Sequence, residues 1–163
     1  VCSNCYALKG RYVFGRVRRA MQRRFESLAH PLWVEAMVFI INKKCNKIPY
    51  FRWHDSGDLQ GAWHLKKIVE VARRTPHIHH WLPTREISIV QEYLAQYGDF
   101  PDNLVVRLSA HMVGAELRVN LNLPTSTVGR DGFGFQCKAY TRGGKCGPCR
   151  ACWSRLDINY PLH

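Results

Sequence analysis

Two periodicities alternate through the middle of the chain. Residues 48–53 form a short β-branched and aromatic run that ends in the polar loop His54-Asp55-Ser56-Gly57-Asp58. Apolar residues then recur at Ala62, Leu65, Ile68, Val69 and Ala72, the spacing of one helix face, until Pro76 stops the pattern. Residues 77–82 read as a second strand, running into Pro83-Thr84-Arg85-Glu86. Ile87, Val90, Leu94 and Tyr97 make a second helical face closed by Gly98. Residues 104–108 read as a third strand opening into Ser109-Ala110-His111, residues 125–128 as a fourth, and residues 157–160 as a last one. Strands alternating with helices at this spacing predict βαβ units and a parallel sheet of four to six strands. The sheet is expected either as a partial or complete barrel or as an open twisted sheet.

The two ends of the chain differ from this middle. Val17, Ala20, Met21, Phe25 and Leu28 form one helical stripe, with Arg16, Arg19, Arg23 and Arg24 over the remaining surface. Residues 32–41 are more uniformly apolar, and a buried second helix is expected there. Beyond Gly129 the periodicity dissolves into a Gly- and Cys-rich loop. A chain of 163 residues suits a single α/β domain. Its parts are N-terminal helices over residues 11–44, a βα core over 48–129 and a Cys-rich segment over 130–163. The longest apolar stretch, residues 36–41, is far short of the about 20 residues needed to span a bilayer. No export signal is visible, so no membrane partner and a cytoplasmic location are expected.

Charge changes the picture only at the ends. The chain carries 24 Lys and Arg against 12 Asp and Glu, a formal net charge of +12. Residues 48–129 hold eight of each sign and are neutral, so the excess lies in residues 1–47 and 130–163. Those same segments contain every cysteine. Such an excess bears on partners rather than on fold.

The strongest chemical signal is Cys137-x8-Cys146-x2-Cys149-x2-Cys152. Two-residue spacers let successive thiolates turn back onto one centre, and Gly143, Gly144, Gly147 and Pro148 suit the tight turns this needs. Four thiolates fit a tetrahedral zinc ion or an iron–sulfur cluster. The run of three cysteines at two-residue spacing favours a [4Fe–4S] cluster, because structural zinc sites usually use two separated Cys-x2-Cys knuckles. The pair Cys2-x2-Cys5 has four readings: part of this ligand set in place of Cys137, a redox pair, half of a second site, or inert surface or buried thiols. Cys45 has no partner nearby in sequence and reads as a buried thiol. His77, His79 and His80 read as surface or core histidines rather than ligands.

In parallel α/β folds ligands gather beyond the carboxyl ends of the strands. Three loops there carry candidate chemistry. His54, Asp55, Ser56 and Asp58 offer an imidazole, two carboxylates and a hydroxyl; Arg85 offers a fork for a carboxylate or phosphate; Ser109 and His111 add another hydroxyl and imidazole. The plainer reading has Ser56 and Asp58 capping the next helix and Arg85 pairing with a carboxylate such as Glu86.

Three blocks together resemble the phage "gene product 88" family: Cys5-Tyr6-Ala7, then Phe51-Arg52-Trp53-His54-Asp55-Ser56-Gly57-Asp58, and Lys145-Cys146-Gly147-Pro148-Cys149-Arg150-Ala151-Cys152-Trp153. That family is in turn similar to radical-SAM-like phage proteins. The resemblance spans essentially the whole chain and implies a virus-encoded iron–sulfur protein on a partial or complete α/β barrel, in the host cytoplasm. Radical SAM enzymes hold their cluster by Cys-x3-Cys-x2-Cys, and only Cys2-x2-Cys5 stands here in that place.

Three function classes follow. In the first, an iron–sulfur enzyme has a pocket at the strand ends: His54 or His111 serves as general acid or base, Asp55 or Asp58 orients it, and Arg85 holds a small anionic substrate. Its chemistry is radical or redox, or hydrolytic with Ser56 or Ser109 as nucleophile. The second is a nucleic-acid-binding module with a structural zinc or cluster, using the basic helix of residues 16–24, Lys43, Lys44 and Lys47, with Tyr12, Trp33 or Trp153 stacking on bases. The third is an electron-transfer or sensing protein without catalysis.

Overall fold

The computed structural model describes residues 6–117, 119–130 and 133–161. Two short 3₁₀ turns lead into α1 (Gly15–Ser27) and α2 (Trp33–Lys44). Then β1 (Tyr50–Arg52), α3 (Ala62–Arg73), β2 (His79–Thr84), α4 (Ile87–Tyr97) and β3 (Leu104–Ser109) alternate as their periodicity predicts. β4 (Thr125–Val128), β5 (Phe135–Gln136) and β6 (Ile158–Tyr160) complete a six-stranded sheet of order β1-β2-β3-β4-β6-β5. Every pair is parallel. Because β1 to β3 follow one another with helical crossovers of one hand, α3 and α4 lie on the same side. The sheet is a half-barrel with these helices outside, which selects the partial barrel among the expected closures.

Side chains alternate across the sheet, so each strand feeds two environments. Leu82, Val106 and Leu108 face outward into a core shared with Leu65, Ile68 and Val69 of α3 and Val90 and Tyr93 of α4, all essentially buried. Each such side chain contributes about 1.5–3 kcal/mol of burial. His80 joins that face, its ring stacked on Trp53 and its Nε2 2.8 Å from the Thr75 hydroxyl. The inner face carries Tyr50, Arg52, Trp81, Arg107, Ser109, Ser126 and Ile158 in register across the strands.

Three sequence expectations need correction. β2 runs through Pro83 and Thr84 instead of ending at Leu82. Trp81 accepts from the Trp53 N–H on the β1 side, so Pro83, two residues on, lacks its N–H only where β1 has already ended. A proline is tolerated at such an edge. Residues 32–41 are not a buried helix: Leu32, Phe39 and Ile40 are exposed, and Ile41 is the one buried residue of α2. Trp33, Val34, Met37, Val38 and Ile41 form the single stripe that meets the core, all a surface helix needs. Neither Ser56 nor Asp58 caps α3, whose N-cap is Gly61 with no side-chain hydrogen bond.

Other expectations hold. Cys45 is buried, its thiol 3.8 Å from the Tyr50 carbonyl oxygen. His77 and His79 are exposed, and His80 is in the core. No helix among the described residues is long and apolar enough to cross a membrane.

Candidate functional site

The Cys-rich segment folds back over the inner face of the half-barrel. Trp153, in a 3₁₀ turn (Ala151–Trp153), packs edge-on against Trp81 and Tyr50, with ring centroids 5.2 and 5.5 Å apart. Its Nε1 donates to the Phe51 carbonyl at 3.0 Å, and Arg150 lies over the Tyr50 ring. These contacts pin the segment to β1 and β2 by aromatic burial rather than by strand pairing.

Cys137, Cys146, Cys149 and Cys152 all line one cavity of about 310 Å³, walled by Phe135, Ile158 and Trp153. That is roughly ten times the share of one water in the liquid, about 30 Å³. Each element places its sulfur locally. Cys137 follows β5, and its N–H donates to the Asn159 carbonyl of β6 at 2.9 Å. Cys146 and Cys149 flank a turn through Gly147, whose φ of +57° favours a residue without Cβ. Cys152 is buried in the 3₁₀ turn, while Cys146 is exposed. None of these four is in a disulfide. Among the described residues, no group of three or more His, Cys, Asp or Glu is gathered so as to hold a metal ion. Cys2 and Cys5 lie outside the described residues.

Two basic residues, Lys138 and Arg142, both exposed, line the cavity. Cys152 Sγ, which lines it, is 3.3 Å from the Tyr160 hydroxyl. Burial pushes the Cys152 thiol up, while the Tyr160 hydroxyl and the Arg107 charge pull it down. Tyr160 is raised by its own burial and by Cys152.

Arg107 was not singled out by the sequence patterns, yet it is the largest fully buried side chain. Nη1 donates to the carbonyls of Thr125 (2.8 Å) and Leu156 (2.6 Å). Nη2 donates to those of Ser154 (2.8 Å) and Cys152 (3.5 Å). Desolvation lowers its pKa against the opposing pull of Tyr160, Cys152 and Asp157. Its one sequence signal is a charge inside the apolar run of residues 104–108.

The strand-end residues are partly brought together. Asp58 accepts from the Leu59 N–H (2.8 Å), the Thr84 hydroxyl (2.5 Å) and the Arg85 N–H (2.8 Å), tying the loop after β1 to the end of β2. Its carboxylate therefore latches two loops. Asp55 is exposed and accepts from the Tyr12 hydroxyl. His54 sits at a left-handed φ of +53°, with its Nδ1 buried and without a hydrogen-bond partner among the described residues. Burial lowers its pKa against the pull of Asp58. Its ring lies 5.6 Å from that of His64, held to a pKa of about 4 by burial. Ser56 and Arg85 are half-buried and His111 is exposed. Ser109 Oγ is 3.0 Å from Ser126 Oγ, and Ser126 is in register with Ile158 of the cavity wall. No serine–histidine hydrogen bond occurs among the described residues.

No curated protein and no solved structure matches the chain. The Gene product 88 family matches residues 1–155, a span that includes the strand-end loops and all four cavity cysteines, and the chain belongs to that phage family.

Proposed function

We propose that this chain is a virus-encoded [4Fe–4S] protein of the host cytoplasm, with Cys137, Cys146, Cys149 and Cys152 as cluster ligands. The observation that carries the reading is that four cysteines spread over residues 137–152 line one cavity against the inner face of the half-barrel. A zinc ion at about 2.3 Å from each sulfur needs four thiolates within about 4 Å of one another. A cubane takes thiolates standing further apart, and a cavity of about 310 Å³ has room for it. When bound, such a cluster supplies one-electron redox chemistry. Radical-SAM-like chemistry requires an iron without a cysteine, and four cysteines at one cavity favour the redox version. His54, Asp55, Ser56, Asp58, Arg85, Ser109 and His111 remain the substrate side of an enzymatic reading. Of these, His54 has a buried Nδ1 with no hydrogen-bond partner among the described residues.

The test is visible absorption with iron, sulfide and zinc counts on anaerobically purified protein. The expected result is a broad shoulder near about 400 nm with roughly four irons. One stoichiometric zinc and no colour overturns the cluster.

A second reading, nucleic-acid binding, is favoured by one observation. Arg16, Arg18, Arg19, Arg23 and Arg24 of α1 are all exposed, and among the described residues none forms an ion pair. Unpaired guanidinium groups along one helix suit a phosphate backbone.

A further inference from the structure

Arg107 presents an electrostatic problem that the fold alone does not solve. Its side chain is 0% exposed, and its Nε has no hydrogen-bond partner among the described residues. No carboxylate of a described residue lies within 4.0 Å of the buried guanidinium. Asp157 pulls on Arg107 without touching it, accepting instead from the Thr125 N–H at 2.6 Å and from its hydroxyl at 2.9 Å. Burying a cation without a counter-ion in contact costs several kcal/mol, and main-chain carbonyls satisfy its donors without neutralising its charge. A neutral donor would bind the same carbonyls without that cost.

Three of the four carbonyls belong to the Cys-rich segment: those of Cys152, Ser154 and Leu156. The guanidinium thus reaches from β3, through the inner face, to the backbone directly behind the most buried cavity cysteine. Ligating thiolates would bring the missing negative charge. Four of them around a +2 core leave the site at about −2.

We propose that Arg107 is a positioning residue for the cysteine cavity. It fixes the backbone behind Cys152 so that the thiol faces the cavity, and it is the buried counter-charge to the thiolate-held group. This rests on the cluster reading above. It adds that the anionic site and the buried cation on β3 stabilise each other, although they are distant in sequence.

The experiment uses the full chain, reconstituted anaerobically with iron and sulfide, as wild type, R107Q and R107K. Readouts are iron retention against a chelator, the midpoint potential of the bound group, and far-UV circular dichroism of each apoprotein. R107Q is expected to retain iron about 10–100-fold more weakly, as when groups that orient metal ligands are removed. Its midpoint potential is expected to move negative, because losing a nearby cation disfavours the more anionic reduced form. R107K, which keeps the charge, is expected to restore the potential most of the way. Loading and potential in R107Q equal to wild type overturn the proposal while the cluster reading stands. Failure of wild type to take up iron overturns the cluster reading, and the Arg107 role falls with it. Should R107Q not fold, R107K against wild type decides: a potential within reach of wild type supports the counter-charge, and one displaced as far as loss of charge would displace it overturns it.

Discussion

Trp153 Nε1 donates to the carbonyl oxygen of Phe51 at 3.0 Å, joining residues 102 positions apart. Phe51 lies in β1, at one edge of the sheet, and Trp153 follows the last cavity cysteine. The cavity is therefore held from both sides. Phe135 of β5 and Ile158 of β6 wall it, and the aromatic contacts of Trp153 with Trp81 and Tyr50 anchor its other end to β1 and β2.

Trp153→Phe keeps most of the ring packing and removes this hydrogen bond. It is expected to lower unfolding stability by about 1 kcal/mol, the net worth of one such bond. A urea denaturation midpoint reads the change directly. An unchanged midpoint would mean that the indole N–H contributes nothing to docking.

Asp58 accepts from three donors on two loops, Leu59 N–H, the Thr84 hydroxyl and Arg85 N–H. Asp58→Ala leaves all three donors without this partner, and a loss of about 2–4 kcal/mol is expected. Thr84→Val removes one of the three bonds, together with the acceptor of the Glu86 N–H at 3.1 Å, and is expected to cost less. Equal, negligible losses in both variants, read from thermal or denaturant melts, would contradict the latch.

His64 and His80 are each held near a pKa of about 4 by burial, below the ordinary 6.5. The unfolded chain therefore binds protons more readily than the folded one. Stability contributed by the neutral rings is fully present above pH 6.5 and is lost as pH falls from there toward 4. Each ring is expected to cost about 2 kcal/mol between pH 7.5 and 5. His80→Gln is expected to flatten that slope relative to wild type in urea midpoints taken across the range. A slope identical in the two proteins would place the acid sensitivity elsewhere.

Cysteine substitution separates ligands from bystanders. Cys146→Ser, Cys149→Ser and Cys152→Ser are each expected to reduce bound iron by most of the wild-type content, because each removes one thiolate from a shared centre. Cys45→Ser is expected to leave it unchanged, since Cys45 is buried in the helical core away from the cavity. Iron and sulfide counts after anaerobic reconstitution decide, and equal losses in all four would contradict the assignment.

The arginines of α1 make a separate prediction. If they bind phosphates, replacing Arg16, Arg19 and Arg23 by Gln should weaken DNA or RNA binding uniformly across sequences. It should also flatten the log–log salt dependence by about 0.9 per lost duplex contact. Fluorescence anisotropy at several salt concentrations measures both. Binding absent in the wild type at low salt removes the nucleic-acid reading.

Much of this architecture is legible in local pattern. Ala62, Leu65, Ile68 and Val69 announce α3, and Leu104, Val106 and Leu108 announce β3, because a helix repeats every 3.6 residues and a strand every two. The cysteine spacing is likewise local, and all four residues it singles out reach one cavity. β5 escapes this reading because two exposed residues, Phe135 and Gln136, carry no periodicity and become a strand only through β6. Of the strand-end candidates, Asp58 is spoken for by Thr84 and Arg85, partners 26 and 27 residues away that no spacing rule connects.

The sequence by itself determined the α/β class, the parallel order of the first strands and the four cysteines with a common destination, since each depends on short-range periodicity or spacing. Tertiary structure decided the closure to a half-barrel, the exposure of Phe39 and Ile40, and the docking of Trp153 on β1. It alone brought the Arg107 guanidinium behind Cys152. Burial and charge compensation are properties of what surrounds a residue, and those surroundings are assembled from β3, β4 and the Cys-rich segment only when the chain has folded.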